Sequence, residues 1–414
     1  MATLLTEALK SGPIRAFVLG SSLSQVGTWI QRVTMGFLAF EATHSVAWVG
    51  AIAACEVIPN LLVAPFTGVA IDRMNRLKLF IWGQSLAQVQ AYILAAMAFA
   101  DLLPVAALAA GAVGLGIIDA INQPLRLTLI GDVASKRLVG SSVALNALGF
   151  NTARFVGPVV AGLAIASGGA GLAFLLNGIS FLPLFIVLLG MRRRAAAPLA
   201  SLAPPAGDGL LGGFRHVIHH TVLGPTFILL ISSAFLVRPL FELLPAVSGL
   251  WFDGSPEQLA WLVSSIGIGA MASSVWMLRR GSIVSVFTAS ITMPAVMIAA
   301  AFAFAASEAY WLTAYPLLVI AGFAAVACAV GMQSVIHFAV HPAYLGRALS
   351  IYGSVQRGLP ATGALIIGVA ADYVGLRTAL LAPAALAAVI WLFIWRKRHQ
   401  LRAELIALES APKE

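Results

Sequence analysis

Long apolar runs, each about as long as a helix needs to cross a bilayer, recur along the whole chain and are separated by short basic clusters. This pattern restricts the fold more than any single motif. A soluble helix buries one stripe and turns charge to water on its other face; these runs carry no such charged face. Charged residues fill 10% of the 414 positions and hydrophobic ones 60%, against roughly a quarter charged in a soluble domain. A soluble fold of this length must still cover its outside with polar groups, so lipid is the outside that fits. Strands of a membrane barrel alternate apolar and polar residues over about ten positions, which these continuous runs do not.

The runs predict twelve spans, six of them in the first half at 16–40, 46–70, 78–100, 104–124, 139–166 and 170–190. The other six lie at 223–246, 258–278, 282–305, 310–337, 346–370 and 376–396. The expected fold is therefore an all-α membrane protein of two six-helix bundles, 1–190 and 223–396, with a linker over 191–222 and a polar tail over 397–414. Linker composition supports this division, since Arg192, Arg193 and Arg194 lead into Pro198, Pro204 and Pro205. Two structural repeats are implied, faintly echoed by Arg154-Phe-Val-Gly-Pro158 and Arg357-Gly-Leu-Pro360.

The net charge of +9 is explained by topology rather than by nucleic acid, because the basic residues sit in short clusters between apolar runs. With the N-terminus inside, 20 of the 25 basic residues, Arg126 among them, fall on the inner side. Arg32, Arg154, Arg238 and Arg357 fall within spans, and Arg377 alone is left outside. Both termini are thus expected in the cytoplasm, with the protein in the inner (plasma) membrane. The first sixteen residues hold no hydrophobic signal core, so the first span is expected to act as its own targeting signal. Cys55 and Cys328 lie in apolar segments without metal or disulfide spacing. Three histidines, His216, His219 and His220, share the linker and read as the rim of a surface helix rather than a metal site. No Walker motif, catalytic constellation or cofactor signature appears, so no cofactor, no metal and no enzymatic activity are expected.

Two motifs carry a resemblance. Between the second and third spans stands Gly68-Val-Ala-Ile-Asp72-Arg73-Met-Asn75-Arg76-Leu-Lys78. It resembles the loop signature of the major facilitator superfamily, departing from it at Asn75, where glycine is usual, and at Leu77, usually basic. Gly68 permits close helix approach, and Asp72 at a helix end is suited to dock on a helix N-terminus or an arginine, which makes Gly68, Asp72, Arg73 and Arg76 a candidate gate. Asn75 is expected to tolerate the left-handed turn. In the fifth span, Gly157-Pro158 followed by Gly162 resembles the superfamily's exporter-associated motif, with Ala153 and Ala161 standing where glycines are expected. The surrounding residues Asn146, Asn151 and Arg154 are similar to the branch holding macrolide efflux proteins and the enterobactin exporter. So are Gln25-Val-Gly27-Thr-Trp29-Ile-Gln31-Arg32 and Asn122-Gln-Pro124-Leu-Arg126.

Ionisable residues inside spans are costly and are functional candidates by default. The acids are Glu56, Asp119 and Glu242. Asp119 and Glu56 rank first for proton coupling because neither has an arginine within a turn or so in sequence. Glu242 ranks third, since Arg238 lies four residues before it on one helix face. The resemblance implies that the first, fourth, seventh and tenth helices line a cavity, which places Arg32, Asp119, Arg238 and Glu242 on three of them. The substrate-cavity candidates are Arg32, Arg238, Asn146, Asn151, Arg154 and Arg357. The resemblance implies a monomeric, proton-driven exporter of a small amphiphile, such as a drug or siderophore, working in a lipid bilayer. An importer or lipid carrier of the same fold, or a non-transporting membrane receptor, stands as the alternative, with sodium left open as the coupling ion.

Overall fold

The computed structural model describes residues 2–134, 137–194, 221–280, 282–307, 310–340 and 342–410, and every regular element among them is a helix. The chain divides into two compact units, Met1–His44 with Ala51–Pro204 and Ser255–Ala260, and Ser45–Gly50 with Pro205–Gly254 and Trp261–Glu414. Seven helices run through the first half: α1 (Ala2–Lys10), α2 (Gly12–Thr43), α3 (Val46–Arg73), α4 (Arg76–Phe99), α5 (Val105–Val133), α6 (Val139–Ser180) and α7 (Leu182–Arg194). The second half begins with α8 (Leu223–Leu236), α9 (Pro239–Glu242), α10 (Leu244–Trp251), α11 (Pro256–Leu278) and α12 (Ile283–Ser307). It continues with α13 (Trp311–Ala339), α14 (Pro342–Val374), α15 (Leu376–Arg396) and α16 (Arg398–Ser410).

Eight helical stretches among the described residues are long and apolar enough to cross a membrane. One of them, Val139–Met191, is 53 residues long, about 80 Å of helix, and crosses twice. Its turn is at Gly168 and Gly169, where Gly169 adopts φ 72 and ψ −178, a conformation open to glycine. Helices α2, α4 and α14 are less apolar and complete the twelve spans. In α2 the reason is a polar stripe facing inward: Ser21, Ser24, Gln25, Thr28, Gln31 and Thr34 are all buried. Thr28 and Thr34 satisfy their hydroxyls by donating to the carbonyls of Ser24 and Ile30, 3.0 and 2.8 Å away. Asn177 of α6 donates to Gln31 at 2.6 Å, so most of the stripe finds partners inside its own bundle, as hydrocarbon demands; the Ser21 hydroxyl makes no protein hydrogen bond.

Two spans differ from their expected limits. The fourth was expected to end at residue 124, but α5 carries Pro124 in its interior and runs on to Val133. The seventh, expected to be continuous, is broken into α8, α9 and α10. Pro239 and Pro245 sit at the starts of the second and third pieces, where a residue without an N–H is accepted.

Small residues set the helix spacing. In the second unit a Cβ on Gly269 would strike the Val319 carbonyl, and one on Gly322 the Ile266 carbonyl, so α11 and α13 meet backbone to backbone. The same unit takes in the first turn of α3. There Asp372 of α14 accepts hydrogen bonds from Ser45 Oγ at 2.6 Å and from the Val46 N–H at 2.9 Å, a carboxylate placed on the positive end of a helix.

Candidate functional site

The first unit gathers three of the expected ionisable residues at one point. Arg32 of α2 donates through Nε to Glu56 Oε1 of α3 at 2.6 Å and through Nη2 to Asp119 Oδ2 of α5 at 2.9 Å. Arg32 Nη2 also touches Glu56 Oε1. The carboxylate side chains are 11% and 15% exposed. Two acids thus share one forked guanidinium, a geometry to which lysine's point charge is unsuited. Backbone approach makes it possible. A Cβ on Gly116 would overlap the Glu56 carbonyl, and Asn60 of α3 donates to the Gly116 carbonyl at 3.3 Å. The bare backbone at Gly116 draws α3 and α5 together three residues before Asp119. The Arg32 guanidinium lies 4.9 Å from the ring centre of Trp29, and that of Arg154 lies 5.7 Å from it, cation–π contacts worth more once desolvated. Gly157 lets α6 abut Trp29, since a Cβ there would overlap the Trp29 Cβ.

The sequence ranks Asp119 and Glu56 first for lacking a nearby arginine. The fold gives both the same arginine, 87 and 24 residues away along the chain.

Arg126 is the functional candidate that sequence reasoning passed over. It was expected among the inner basic clusters. Because α5 continues to Val133, Arg126 is instead within the helix and only 5% exposed. It donates to the Ser21 carbonyl at 3.3 Å and to Ser24 Oγ at 3.4 Å, and Ser24 donates to Gln84 Oε1 at 3.5 Å. Its Nε makes no protein hydrogen bond, and among the described residues no carboxylate forms an ion pair with it. Asp119 is the acid whose charge reaches it. Their seven-residue spacing on one helix face was the available signal. A buried cation without a close counter-charge is costly to the fold. Arg126→Met is therefore expected to leave thermal stability unchanged or to raise it by about 1 kcal/mol, while transport falls. A lowered melting temperature would show that the guanidinium is a structural tie instead.

The second unit holds a separate polar chain. Arg238 donates to Gln356 Oε1 of α14, Gln356 donates to Tyr352 Oη at 2.9 Å, and Tyr352 donates to the Ala329 carbonyl of α13 at 2.8 Å. Arg238 was expected beside Glu242. The span breaks at Val237 and Arg238, yet Arg238 keeps helical φ −66 and ψ −20 as the N-cap of α9. Glu242, exposed at the end of that turn, is an acid whose charge reaches Arg238, without an ion pair closing between them. Gln356 and Tyr352 were not singled out from sequence, although they stand four apart on one helix face.

The remaining candidates are spread out. A Cβ on Gly162 would overlap Ala260, so Gly162 is also a close-approach position. Pro158 lies inside α6, and Asn146 is buried there with its Oδ1 taking no hydrogen bond from the protein. Arg357 is exposed on α14. In the loop motif, Asn75 adopts φ −67 and ψ 109 rather than a left-handed turn, and its side chain accepts from the Lys78 N–H at 3.0 Å as the N-cap of α4. Arg76 opens that helix, and Leu77 is buried in the core beside Phe80. The side chains of Gly68, Asp72, Arg73 and Asn151 lie outside the described residues, as do His216, His219 and His220. Among the described residues no group of three metal-ligating side chains comes together.

Comparison with known proteins agrees with the helical architecture. The chain is 25% identical to the multidrug efflux pump Tap of Mycolicibacterium fortuitum, over 94% of this chain and 97% of that protein. It is also 25% identical to the staphyloferrin A transporter of Staphylococcus aureus over 42% of this chain, a match that spans 43% of that relative. Among solved structures, a bacterial homologue of the iron transporter ferroportin superposes with a TM-score of 0.69 at 16% identity, covering 92% of this chain and 98% of that one. A bacterial homologue of the human lysosomal transporter Spinster gives 0.68 at 15%, covering 95% and 99%. Residues 8–413 match the transmembrane secretion effector family, and the chain belongs to that family of major facilitator transporters.

Proposed function

We propose that this membrane transporter is a proton-coupled exporter of small amphiphilic compounds, a drug or a siderophore, that works by alternating access of two six-helix halves, 1–190 and 223–414, in the inner membrane with both termini cytoplasmic. The observation that carries the reading is the sharing of Arg32 by Glu56 and Asp119. With both acids ionised, the trio has one negative charge in excess. A proton on either acid neutralises it and loosens one of the two ties that α2 makes, to α3 or to α5. Interior ionisable groups of this kind are costly and are found on proton relays, and a change in helix ties between protonation states is what shifts a two-state equilibrium. Arg126, two turns further along α5, adds positive charge that suits an amphiphile with polar or anionic groups. Export rather than import is supported by the Gly157-Pro158…Gly162 motif and by the efflux-pump relative.

Proteoliposomes with an imposed pH gradient and an internal pH dye provide the test, with ethidium as the amphiphilic probe. Asp119→Asn is expected to fold as the parent does, yet reduce gradient-driven ethidium movement and the linked proton flux to the level of empty liposomes. Undiminished proton-linked transport by that variant would remove Asp119 from the coupling step.

A further inference from the structure

The tail helix α16 enters neither the proposed transport cycle nor the motifs above, but it forms one wall of a built cleft in the second unit. It starts directly after α15, the last span, so its first turns sit where a spanning helix leaves the hydrocarbon. Leu401 and Leu405 anchor it, 3% and 0% exposed in the same core cluster as Phe287 and Ile291 of α12. This fixed seating leaves a cleft of about 140 Å³ between α12, the end of α15 and α16, many times the roughly 10–15 Å³ that admits one water.

The cleft has two chemically distinct parts. Phe287, Ile291 and Trp395 form its apolar floor, and Thr288 adds a hydroxyl at the edge. Arg398, His399 and Arg402 form its polar wall. Arg398 and Arg402 are four residues apart and so share a helix face, a repulsive arrangement unless an anion sits between them. Among the described residues no carboxylate forms an ion pair with either. Arg398 is held in place: it donates to the Trp395 carbonyl at 3.1 Å and lies 4.4 Å from the centre of that ring. Trp395 in turn stacks on Trp391 at 5.2 Å, and Trp391 Nε1 donates to the Ile291 carbonyl at 2.9 Å. An oriented guanidinium, a second one a turn away and an apolar floor beside them suit a phosphate ester that carries a hydrocarbon portion.

We propose that this cleft binds the phosphate headgroup of an anionic phospholipid, with Arg398 and Arg402 on the phosphate and the acyl chains running along the lipid-facing side of α12. Charge, an apolar floor and a position at the end of a spanning helix point together to lipid rather than to a soluble anion. Bound there, the lipid ties the tail helix to α12 and α15.

Native mass spectrometry of the full-length protein, titrated with phosphatidylglycerol and separately with phosphatidylcholine, tests this. One retained phosphatidylglycerol is expected, with phosphatidylcholine binding more weakly. Arg398→Gln with Arg402→Gln is expected to weaken phosphatidylglycerol binding roughly 30-fold, two basic residues at about fivefold each. Arg396→Gln with Lys397→Gln removes the same charge from residues that do not line the cleft and is expected to change binding little. Thr288→Trp fills the cleft with every charge kept and is expected to displace the lipid. Equal losses from the two charge pairs would replace the site with diffuse surface attraction and overturn the proposal. Competition by millimolar inorganic phosphate, with the same dependence on Arg398 and Arg402, would assign the cleft to a soluble anion and overturn it equally.

Discussion

Arg32→Gln is expected to abolish transport and to destabilise the protein by roughly 3–5 kcal/mol, the usual loss when one partner of a buried ionic cluster is removed. The variant leaves Glu56 and Asp119 facing each other from α3 and α5 without the cation that both contact. Both acids are mostly buried, so water cannot replace the lost charge. The triple variant Arg32→Gln, Glu56→Gln, Asp119→Asn is expected to regain most of the stability, because no charge is left stranded, and to remain inactive. Such non-additivity is the mark of groups that act as one unit. Arg32→Lys is expected to fold and to transport poorly, since an ammonium cannot hold two carboxylates in a fork. Thermal unfolding in detergent and transport in proteoliposomes measure the series. An Arg32→Gln protein as stable as the parent would show that the trio contributes little to holding α2, α3 and α5 together.

Gly116→Val is expected to cost about 1–3 kcal/mol by overpacking and to reduce transport to background. Its side chain would run into the Glu56 backbone carbonyl, which cannot rotate away as a flexible side chain could. The two helices must separate, and Glu56 and Asp119 no longer reach one guanidinium together. Gly114, two residues earlier on α5, is the control. A Cβ there meets only the Gln90 side chain, 3.6 Å away at its nearest atom, so Gly114→Ala is expected to be neutral or to stabilise by up to about 1 kcal/mol through helix propensity. If Gly116→Ala and Gly116→Val behave as the Gly114 variant does, helix approach at Gly116 is not what assembles the site.

Much of this protein follows from its sequence. Hydrocarbon lets a backbone satisfy its hydrogen bonds only as a helix or a closed barrel, and continuous apolar runs lack the alternation of barrel strands, so they form helices. The sequence therefore gave away the twelve spans and the fold, and the cost of charge in lipid marked out Arg32, Glu56 and Asp119. It misplaced the end of α5: the span was expected to stop at residue 124, whereas Pro124 is accommodated inside the helix, which runs on to Val133. That error put Arg126 in a basic cluster when it belongs in the interior.

Which charge meets which was decided by tertiary structure alone. Spacing of three or four residues reports only on neighbours along one helix; it relates Arg238 to Glu242 but not to Gln356 of α14, and it left Asp119 and Glu56 without the arginine they contact. Partners on different helices are chosen by how closely and in what register the backbones approach. In this chain that is set by bare positions such as Gly116 against Glu56 and Gly157 against Trp29. A glycine in the sequence states that close approach is permitted. Only the folded bundle states which helix comes near, and so which two acids come to share Arg32.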